Sequence, residues 1–545
     1  MIYLSILLLS TFATIILIPL FMALSVQLHA LDMPSDRKVH VTPIPRSGGI
    51  AMALGTLISV LVWIPLQRFE VAYLAGAGVL VLTGVVDDLK GIDYKTKFAG
   101  QIAAAIIVVV FGGVTIRGLG AILPDNFLLP DWLAIPLTVF TIIGITNAVN
   151  LADGLDGLAG GISLLAFGCI GYIASQDQGI IIALIAVALS GAIFGFLRFN
   201  SHPATLFMGD TGSQLLGFSA VTLGVMLTQG DNALNKILPF VLVGFPVLDT
   251  LSVMAVRVAK GKSPFMADKN HYHHKLMRFG FTHKEAVIII YFLQVLLVTG
   301  AFLMRNHSEW LLLGFYVGFS GFALLFFTAA ERTGWTWRRY DLLDVVIRTK
   351  FKVLQESNIG IRVSFEALET GLPGLLLLSC FVAGEVPAYC SASALVLAAL
   401  ILTTWFLRKQ WIGGAVRVSL YLLIPYIVYF SEMSPAGWVS EPFAILYNLL
   451  FGVIVLFMIL TLKFTRRRKG FKTTPMDYLI LFAVIVIPNL PGIELQNYQV
   501  NVIITKIVVF FFGFEVLMGE LRGEFRRIAL VTVSSLLFMG LRGFM

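Results

Sequence analysis

Charge is scarce in this chain. Of its 545 residues only 13% are Asp, Glu, Lys or Arg, where a soluble domain carries about 25%. Cysteine is rarer still: Cys169, Cys380 and Cys390 stand alone, in neither a zinc nor a redox spacing. Apolar residues fill the chain instead, at 58%, more than the core of a water-soluble protein can hide. That balance excludes a disordered chain, a fibrous repeat and a nucleic-acid-binding domain. The net charge of +8, from 39 basic and 31 acidic residues, needs no anionic polymer, because cytoplasmic loops of membrane proteins are basic. The fold class that remains is an all-α polytopic membrane protein.

Apolar stretches of spanning length fall at 1–26, 48–66, 71–88, 98–114, 131–149, 158–175, 180–197, 212–229, 236–256, 286–304 and 310–329. Seven more fall near 372–389, 391–407, 418–430, 443–462, 477–490, 502–518 and 528–541. The opening Met1-Ile-Tyr-Leu-Ser lacks a basic region and no small-residue cleavage site precedes the first loop, so 1–26 reads as a retained span rather than a signal peptide. With the N-terminus outside and strict alternation, 33 of the 39 Lys and Arg fall in inside segments. The outside segments hold Arg68, Arg117, Arg305 and Arg542, while Lys236 and Lys506 lie at or within spans. The bias supports both the count and the orientation. The expected organisation is a membrane domain over 1–329, a charged linker over 330–371 and a further multi-span domain over 372–545.

The polar residues concentrate on the inside loops before residue 330. These read Pro34-Ser-Asp-Arg-Lys-Val-His40 with Pro43-Ile-Pro-Arg-Ser-Gly-Gly49, Asp87-Asp-Leu-Lys-Gly91, Asn147-Ala-Val-Asn-Leu-Ala-Asp-Gly-Leu-Asp-Gly157, Asn200 with Phe207-Met-Gly-Asp-Thr-Gly-Ser213, and Asp268-Lys-Asn-His-Tyr-His-His274. Asp87, Asp88, Asp153, Asp156 and Asp210 are hard oxygen donors, which without cysteine favour Mg²⁺ or Mn²⁺ over zinc. Three histidines in four residues, with Lys269, Lys275 and Arg257, supply donors for phosphate oxygens. Asp210-Thr-Gly-Ser sits where a span begins, so helix N-terminal N–H groups face an anion there. Singly each motif has a plain reading: a boundary charge, an Asx turn, a surface histidine loop, or, for Arg466-Arg-Arg-Lys469, a topology signal. Five complementary motifs on one side instead describe phosphate chemistry with a divalent cation, and the boundary location makes one substrate a lipid.

Residues 30–300 resemble the polyprenyl-phosphate N-acetylhexosamine-1-phosphate transferases, the group that includes the WecA/TagO-type enzymes and the MraY translocase. The resemblance rests on Pro45-Arg-Ser-Gly-Gly49, Val86-Asp-Asp-Leu-Lys90, Asn150-Leu-Ala-Asp-Gly-Leu-Asp-Gly-Leu158, Phe207-Met-Gly-Asp-Thr-Gly-Ser213 and the Ser263–His274 stretch. Ile44-Pro-Arg-Ser-Gly-Gly and His-x-His-His are similar to the WecA side of the group rather than to MraY.

The resemblance implies transfer of an N-acetylhexosamine phosphate, foremost GlcNAc-1-phosphate, from a UDP-sugar to polyprenyl phosphate with release of UMP. It implies Mg²⁺ or Mn²⁺ as cofactor, with Asp210 and then Asn150 as ligands. It places Asp87 and Asp88 as the catalytic pair, and counts Asp156, His273 and His274 among the reacting groups. Asn150, Asp153, Asp156, Asn200 and Phe207 match nucleoside-holding positions, Lys97 a lipid-phosphate position, and Arg257, His271, His273 and His274 the diphosphate or sugar loop. Asp87 as a base is not compelling, since a phosphate monoester has its second pKa near about 6. Adjacent helical residues also point about 100° apart, so Asp87 and Asp88 are expected to do different work. The implied setting is a bacterial cytoplasmic membrane with the active site on its cytoplasmic face. A homodimer and downstream glycosyltransferases are further candidate partners.

The seven-span extension is not part of the resemblance. Asp341–Leu354 reads as an amphipathic surface helix. Beyond it Glu385, Lys506 and Glu515 are the polar residues at depth, and Lys506 and Glu515 are nine apart on opposite helix faces. The extension reads as a scaffold, a lipid-carrier module or a transport-related module. Other UDP-sugars, such as UDP-GalNAc, a 6-deoxy amino sugar or UDP-MurNAc-pentapeptide, remain alternatives. A polytopic transporter is the different-class reading, and it would place its polar residues at mid-membrane rather than at one boundary.

Overall fold

The structure is a computed structural model that describes residues 2–33, 43–124, 127–176, 179–230, 232–263, 270–336, 359–384, 386–407, 411–464, 499–521 and 525–542. Thirteen of its helices are long and apolar enough to cross a membrane, so the protein is an all-α polytopic membrane protein. The described residues fall into two compact units, one up to Thr336 and one from Ile359 onward.

The first unit contains α1 (Ile2–Gln27), α2 (Gly48–Trp63), α3 (Arg68–Lys90), α4 (Tyr94–Ile106, continued by a π turn over Ile107–Phe111), α5 (Asp131–Ala152), α6 (Leu158–Gln176), α7 (Ile180–Asn200) and α8 (Gly209–Thr228). It continues through α9 (Leu238–Leu242), α10 (Gly244–Ala259), α11 (Tyr272–Arg278), α12 (His283–Leu303) and α13 (Glu309–Thr333). Helix α8 is central and buried along nearly its whole length. Lipid tails are as apolar as leucine, so helices associate here through close packing and hydrogen bonds. Helix α7 accordingly meets α1 through small and hydroxylated residues. Ser10 Oγ donates to Ala188 O at 2.6 Å, and Thr11 Oγ1 donates to Gly191 O at 3.0 Å.

The stretch expected as one span over 236–256 is broken at Val243 into α9 and α10. Pro239 and Pro246 lie on either side of the break and cannot donate to the helical ladder. The fully buried Gln294 repairs it: its side chain accepts Phe245 N–H at 3.3 Å and donates to Leu242 O at 2.7 Å. Tyr316 OH donates to Gly244 O at 2.9 Å. Freed backbone groups at membrane depth need such partners.

A 3-10 turn over Gly120–Ile122 and two short strands complete the regular structure of the described residues in this unit. In β1 (Leu31–Asp32) and β2 (Ile44–Pro45), Leu31 faces Pro45 and Asp32 faces Ile44 in an antiparallel pair. An Arg46–Asp32 ion pair closes it. The intervening Asp36, Arg37, Lys38 and His40 lie outside the described residues.

The second unit contains α14 (Ile359–Val382), α15 (Ala388–Leu407), α16 (Ile412–Met433), α17 (Glu441–Phe464), α18 (Gln499–Leu521) and α19 (Arg526–Arg542). Its own core includes Leu372, Leu376, Ile424, Ile427, Phe510 and Leu536. Lys506 and Glu515 pair separately with α16, as their spacing requires. Lys506 Nζ contacts Glu432 at 2.5 Å and lies over the Tyr447 ring, 3.9 Å from its centroid. Arg417 pairs with Glu515 at 3.1 Å. For the buried Lys506–Glu432 pair, the cost of withdrawing two charges from water offsets much of their attraction. The expected surface helix over 341–354, the span near 477–490 and Glu385 lie outside the described residues.

Candidate active site

Helices α3, α5, α7 and α10 end at one face of the first unit, and α4, α8, α11 and α12 begin there. Asp87 and Asp88, in the last turn of α3, diverge. The Asp87 side chain accepts Ile92 N–H at 2.9 Å and stands 3.3 Å from Lys97 Nζ. Asp88 instead reaches the first turn of α8. It accepts Asp210 N–H at 3.0 Å, Thr211 N–H at 3.2 Å and Thr211 Oγ1 at 2.8 Å. The anion at this helix N-terminus is therefore a side chain of the protein itself, satisfying donors that the helix cannot. Gly209, which opens α8 at φ +67°, leaves room for Asp88. A Cβ there would stand 2.4 Å from Asp88 Oδ2.

Lys97, near the start of α4, also contacts Asp210 directly. One ammonium thus sits between two carboxylates, and the Asp210 side chain remains partly accessible. One turn along the helices from this cluster, three amides tie together the helices that carry it. Gln101 donates to Gln214 Oε1 at 3.1 Å and accepts from Asn147 Nδ2 at 2.7 Å. Gln101 lies one turn from Lys97, Gln214 one turn from Asp210, and Asn147 one turn from Asn150. The Asn150 amide nitrogen is buried without a hydrogen-bond partner.

The α5–α6 loop brings in Asp153 and Asp156, whose environments push their pKa values apart. Burial, reinforced by the like charges of Asp156 and Asp88, pushes the Asp153 carboxyl up to about 7. Burial also acts to raise Asp156, but the hydrogen bond from His202, the His283 imidazole and the Ala204 N–H outweigh it, holding Asp156 below the usual carboxylate range. His202 Nδ1 lies 2.7 Å from Asp156 Oδ2, and Ala204 N–H donates to the same oxygen at 3.1 Å. His283 Nε2 accepts the Asp156 N–H at 3.0 Å.

Ligand atoms of Asp156, His202 and His283 lie within 4.8 Å of one another, close enough to suggest a metal trio. Those atoms are already hydrogen-bonded, and the two rings stack with centroids 4.1 Å apart. Parallel rings do not aim their lone pairs at a common point, so the trio is a brace for the loop.

Asn200 is a second brace. It is 3% exposed, accepts Gly157 N–H at 2.8 Å and donates to Leu206 O at 2.9 Å. Phe207 enters through its backbone, donating to Pro45 O and accepting Gly48 N–H. This seats β2 and the start of α2 against α8. Arg257 is buried in the last turn of α10.

In the histidine segment, His271 Nδ1 lies 2.9 Å from Asp249 Oδ2. His273 is buried against Gly154, where a Cβ would meet its ring at 2.4 Å. Burial, with the neighbouring His274, His271 and His283, holds His273 well below its ordinary pKa, hence neutral. The His273 and His274 rings are 4.2 Å apart. Asp268 and Lys269 lie outside the described residues.

The structure therefore gathers Asp87, Asp88, Lys97 and Asp210 in one cluster, and Asp156 with His202 and His283 in another, with Asp153 alongside. Asp249, His202 and His283 escape the sequence reading. A carboxylate within the apolar 236–256 stretch was a usable signal for Asp249, since intramembrane charges are rarely idle. A lone histidine beside a proline or at a helix start carries no such mark.

Residues 71–228 match the family described as glycosyl transferase family 4. A probable undecaprenyl-phosphate N-acetylglucosaminyl 1-phosphate transferase of Bacillus subtilis (strain 168) is 35% identical over 305 residues, 55% of this chain and 85% of that protein. The chain belongs to the polyprenyl-phosphate sugar-1-phosphate transferase family. An undecaprenyl-phosphate alpha-N-acetylglucosaminyl 1-phosphate transferase of Escherichia coli (strain K12) is 34% identical over 52% of this chain and 79% of its own length. A decaprenyl-phosphate N-acetylglucosaminephosphotransferase of Mycobacterium leprae (strain TN) is 35% identical over 49% of this chain and 74% of its own. Each of these relatives aligns with only about half of this chain, so a large part of it lies beyond the shared stretch.

Proposed function

We propose that the protein transfers GlcNAc-1-phosphate from UDP-GlcNAc to polyprenyl phosphate, releasing UMP, at the cytoplasmic face of a bacterial inner membrane. The observation that carries this reading is the Asp87–Lys97–Asp210 cluster at one end of the helix bundle, in a chain whose relatives are named for this transfer. A lipid phosphate oxygen attacks the β-phosphorus of the nucleotide sugar. The bond from that phosphorus to the bridging oxygen breaks, and UMP leaves with the oxygen. One phosphoanhydride replaces another, so catalysis is mainly positioning and charge neutralisation.

The donor set fits a hard divalent cation. Asp87 and Asp210 already converge on a cationic group, the Lys97 ammonium, and the ligand types are oxygen rather than sulfur. Asp210 and Asn150 would hold Mg²⁺ or Mn²⁺, with Asp87 adjoining. That ion supplies neutralisation of phosphate charge.

The chain's own groups do the rest. Lys97 binds the lipid phosphate when the substrates displace it from Asp210. Asp88 fixes the α8 turn that presents Asp210. Asn150, Asp153 and Phe207 line the nucleoside subsite, while Asp156 and Asn200 hold its loops through the contacts described above. Arg257, His271, His273 and His274 face the diphosphate and sugar. Residues 1–329 form the catalytic domain and the second unit, from Ile359 onward, a membrane scaffold, with downstream glycosyltransferases or a second copy as its candidate partners.

The test is UMP release by purified protein across a panel of UDP-sugars with polyprenyl phosphate. Turnover with UDP-GlcNAc supports the assignment, turnover with a different UDP-sugar moves the sugar alone, and no UMP from any of them overturns it.

A further inference from the structure

Asp249 is a charged side chain that the proposed transfer does not use. It lies on α10, is 2% exposed, and both its oxygens are committed. Oδ2 is 2.9 Å from His271 Nδ1, and Oδ1 accepts Tyr272 N–H at 2.8 Å. A carboxylate withdrawn this far from water is costly unless paired and hydrogen-bonded, and here both oxygens are. The bond to Nδ1 determines the tautomer and ring plane of His271. Among the described residues, Nε2 of that ring makes no hydrogen bond. The bond to Tyr272 N–H ties the first residue of α11 to α10, and α11 also carries His273 and His274.

We propose that Asp249 is a positioning residue that orients the His271 imidazole, leaving Nε2 free to bind the diphosphate of the nucleotide sugar. A buried carboxylate accepting from Nδ1 fixes the plane and orientation of an imidazole, as it does behind metal-bound histidines. When the ring takes up a second proton together with the phosphate anion, Nε2–H donates a charge-assisted hydrogen bond to the phosphate oxygen facing it. The inference rests on the transferase reading above and deepens it.

Asp249→Asn separates this role from a plain helix clip. Its amide has one oxygen for two N–H donors, so its nitrogen is forced against one of them. The expected result in UMP release is a rise of about 10-fold or more in KM for UDP-GlcNAc with a fall in kcat, and an unchanged KM for polyprenyl phosphate. In a His271→Ala background the same substitution should change neither constant further. His271→Asn, whose amide still donates to Asp249, should keep wild-type thermal stability yet show the raised KM, so the question stays answerable if Asp249→Asn does not fold. Wild-type kinetics in His271→Asn, or an Asp249→Asn effect undiminished in the His271→Ala background, overturns the inference. Wild-type protein that releases no UMP from any UDP-sugar overturns the transferase reading instead, and the two failures are distinguished by that control.

Discussion

The Asp88 carboxylate accepts the backbone N–H of Asp210 at 3.0 Å, so the acidic pair at the end of α3 is tied to the residue proposed to hold the metal. Removing Asp88 therefore disturbs a helix start as well as a charge. Asp88→Ala should lower stability by about 1 kcal/mol, typical of a lost N-cap, and reduce turnover. Asp87→Asn should reduce turnover with no comparable loss. Thermal unfolding beside UMP-release kinetics for both variants checks the distinction. Equal destabilisation would contradict it.

The cation requirement has its own signature. EDTA should abolish UMP release, and added Mg²⁺ should restore it. Asp210→Asn should shift the Mg²⁺ titration to higher concentration, by about 10-fold or more. An unchanged titration would remove Asp210 from the ligand set.

The amide group beneath the site is expected to be unforgiving. Gln101→Leu strands the side-chain oxygen of Gln214 and leaves Asn147 with its bond to Ile143 O alone, and a stranded buried polar group costs about 1–3 kcal/mol. Turnover should fall as well, because Gln101, Gln214 and Asn147 each sit one turn from Lys97, Asp210 and Asn150. A variant as stable and active as the wild type would show that the network positions nothing.

Asp153 gives a pH dependence of defined sign. Its carboxyl is pushed up to about 7 in the folded protein, whereas an unfolded Asp titrates near about 3.9. Between those values the folded state holds the extra proton, so the Asp153 contribution to stability declines as pH rises from about 4 to about 7 and is flat above. Relative to Asp153→Asn, metal-free wild-type protein should lose melting temperature across that window. A difference that does not vary with pH would refute the shift.

The two units have separate cores. A chain ending at residue 358 should therefore insert in membranes and release UMP at a rate comparable to the whole protein. Loss of turnover in a stably inserted truncation would make the extension part of the catalytic unit.

Much of the fold was legible because the bilayer leaves few choices. An apolar run of about 20 residues spans as a helix, and α1, α3, α5, α6, α7, α8, α12 and α13 all coincide with such runs. The break between α9 and α10 was not legible. Pro239 and Pro246 marked the place, but whether a span survives there depends on a partner for the freed backbone groups, and Gln294 comes from about fifty residues away. In the site, the motifs named the aspartates but not their allegiances. Asp87 and Asp88 are adjacent in sequence, yet one faces Lys97 and the other the start of α8.

The sequence by itself determined that this protein lives in a membrane, that its polar residues gather on one set of loops, and that aspartates, histidines and lysines share those loops. Those properties follow from residue type and spacing along one chain. Only the tertiary structure decided which donors are engaged. Asp88, Asp156 and Asp249 accept hydrogen bonds from groups on other helices or loops, Asn200 both accepts and donates, and Lys97 stands between two carboxylates. Such pairings depend on helices meeting across large separations in sequence, and no local pattern encodes them.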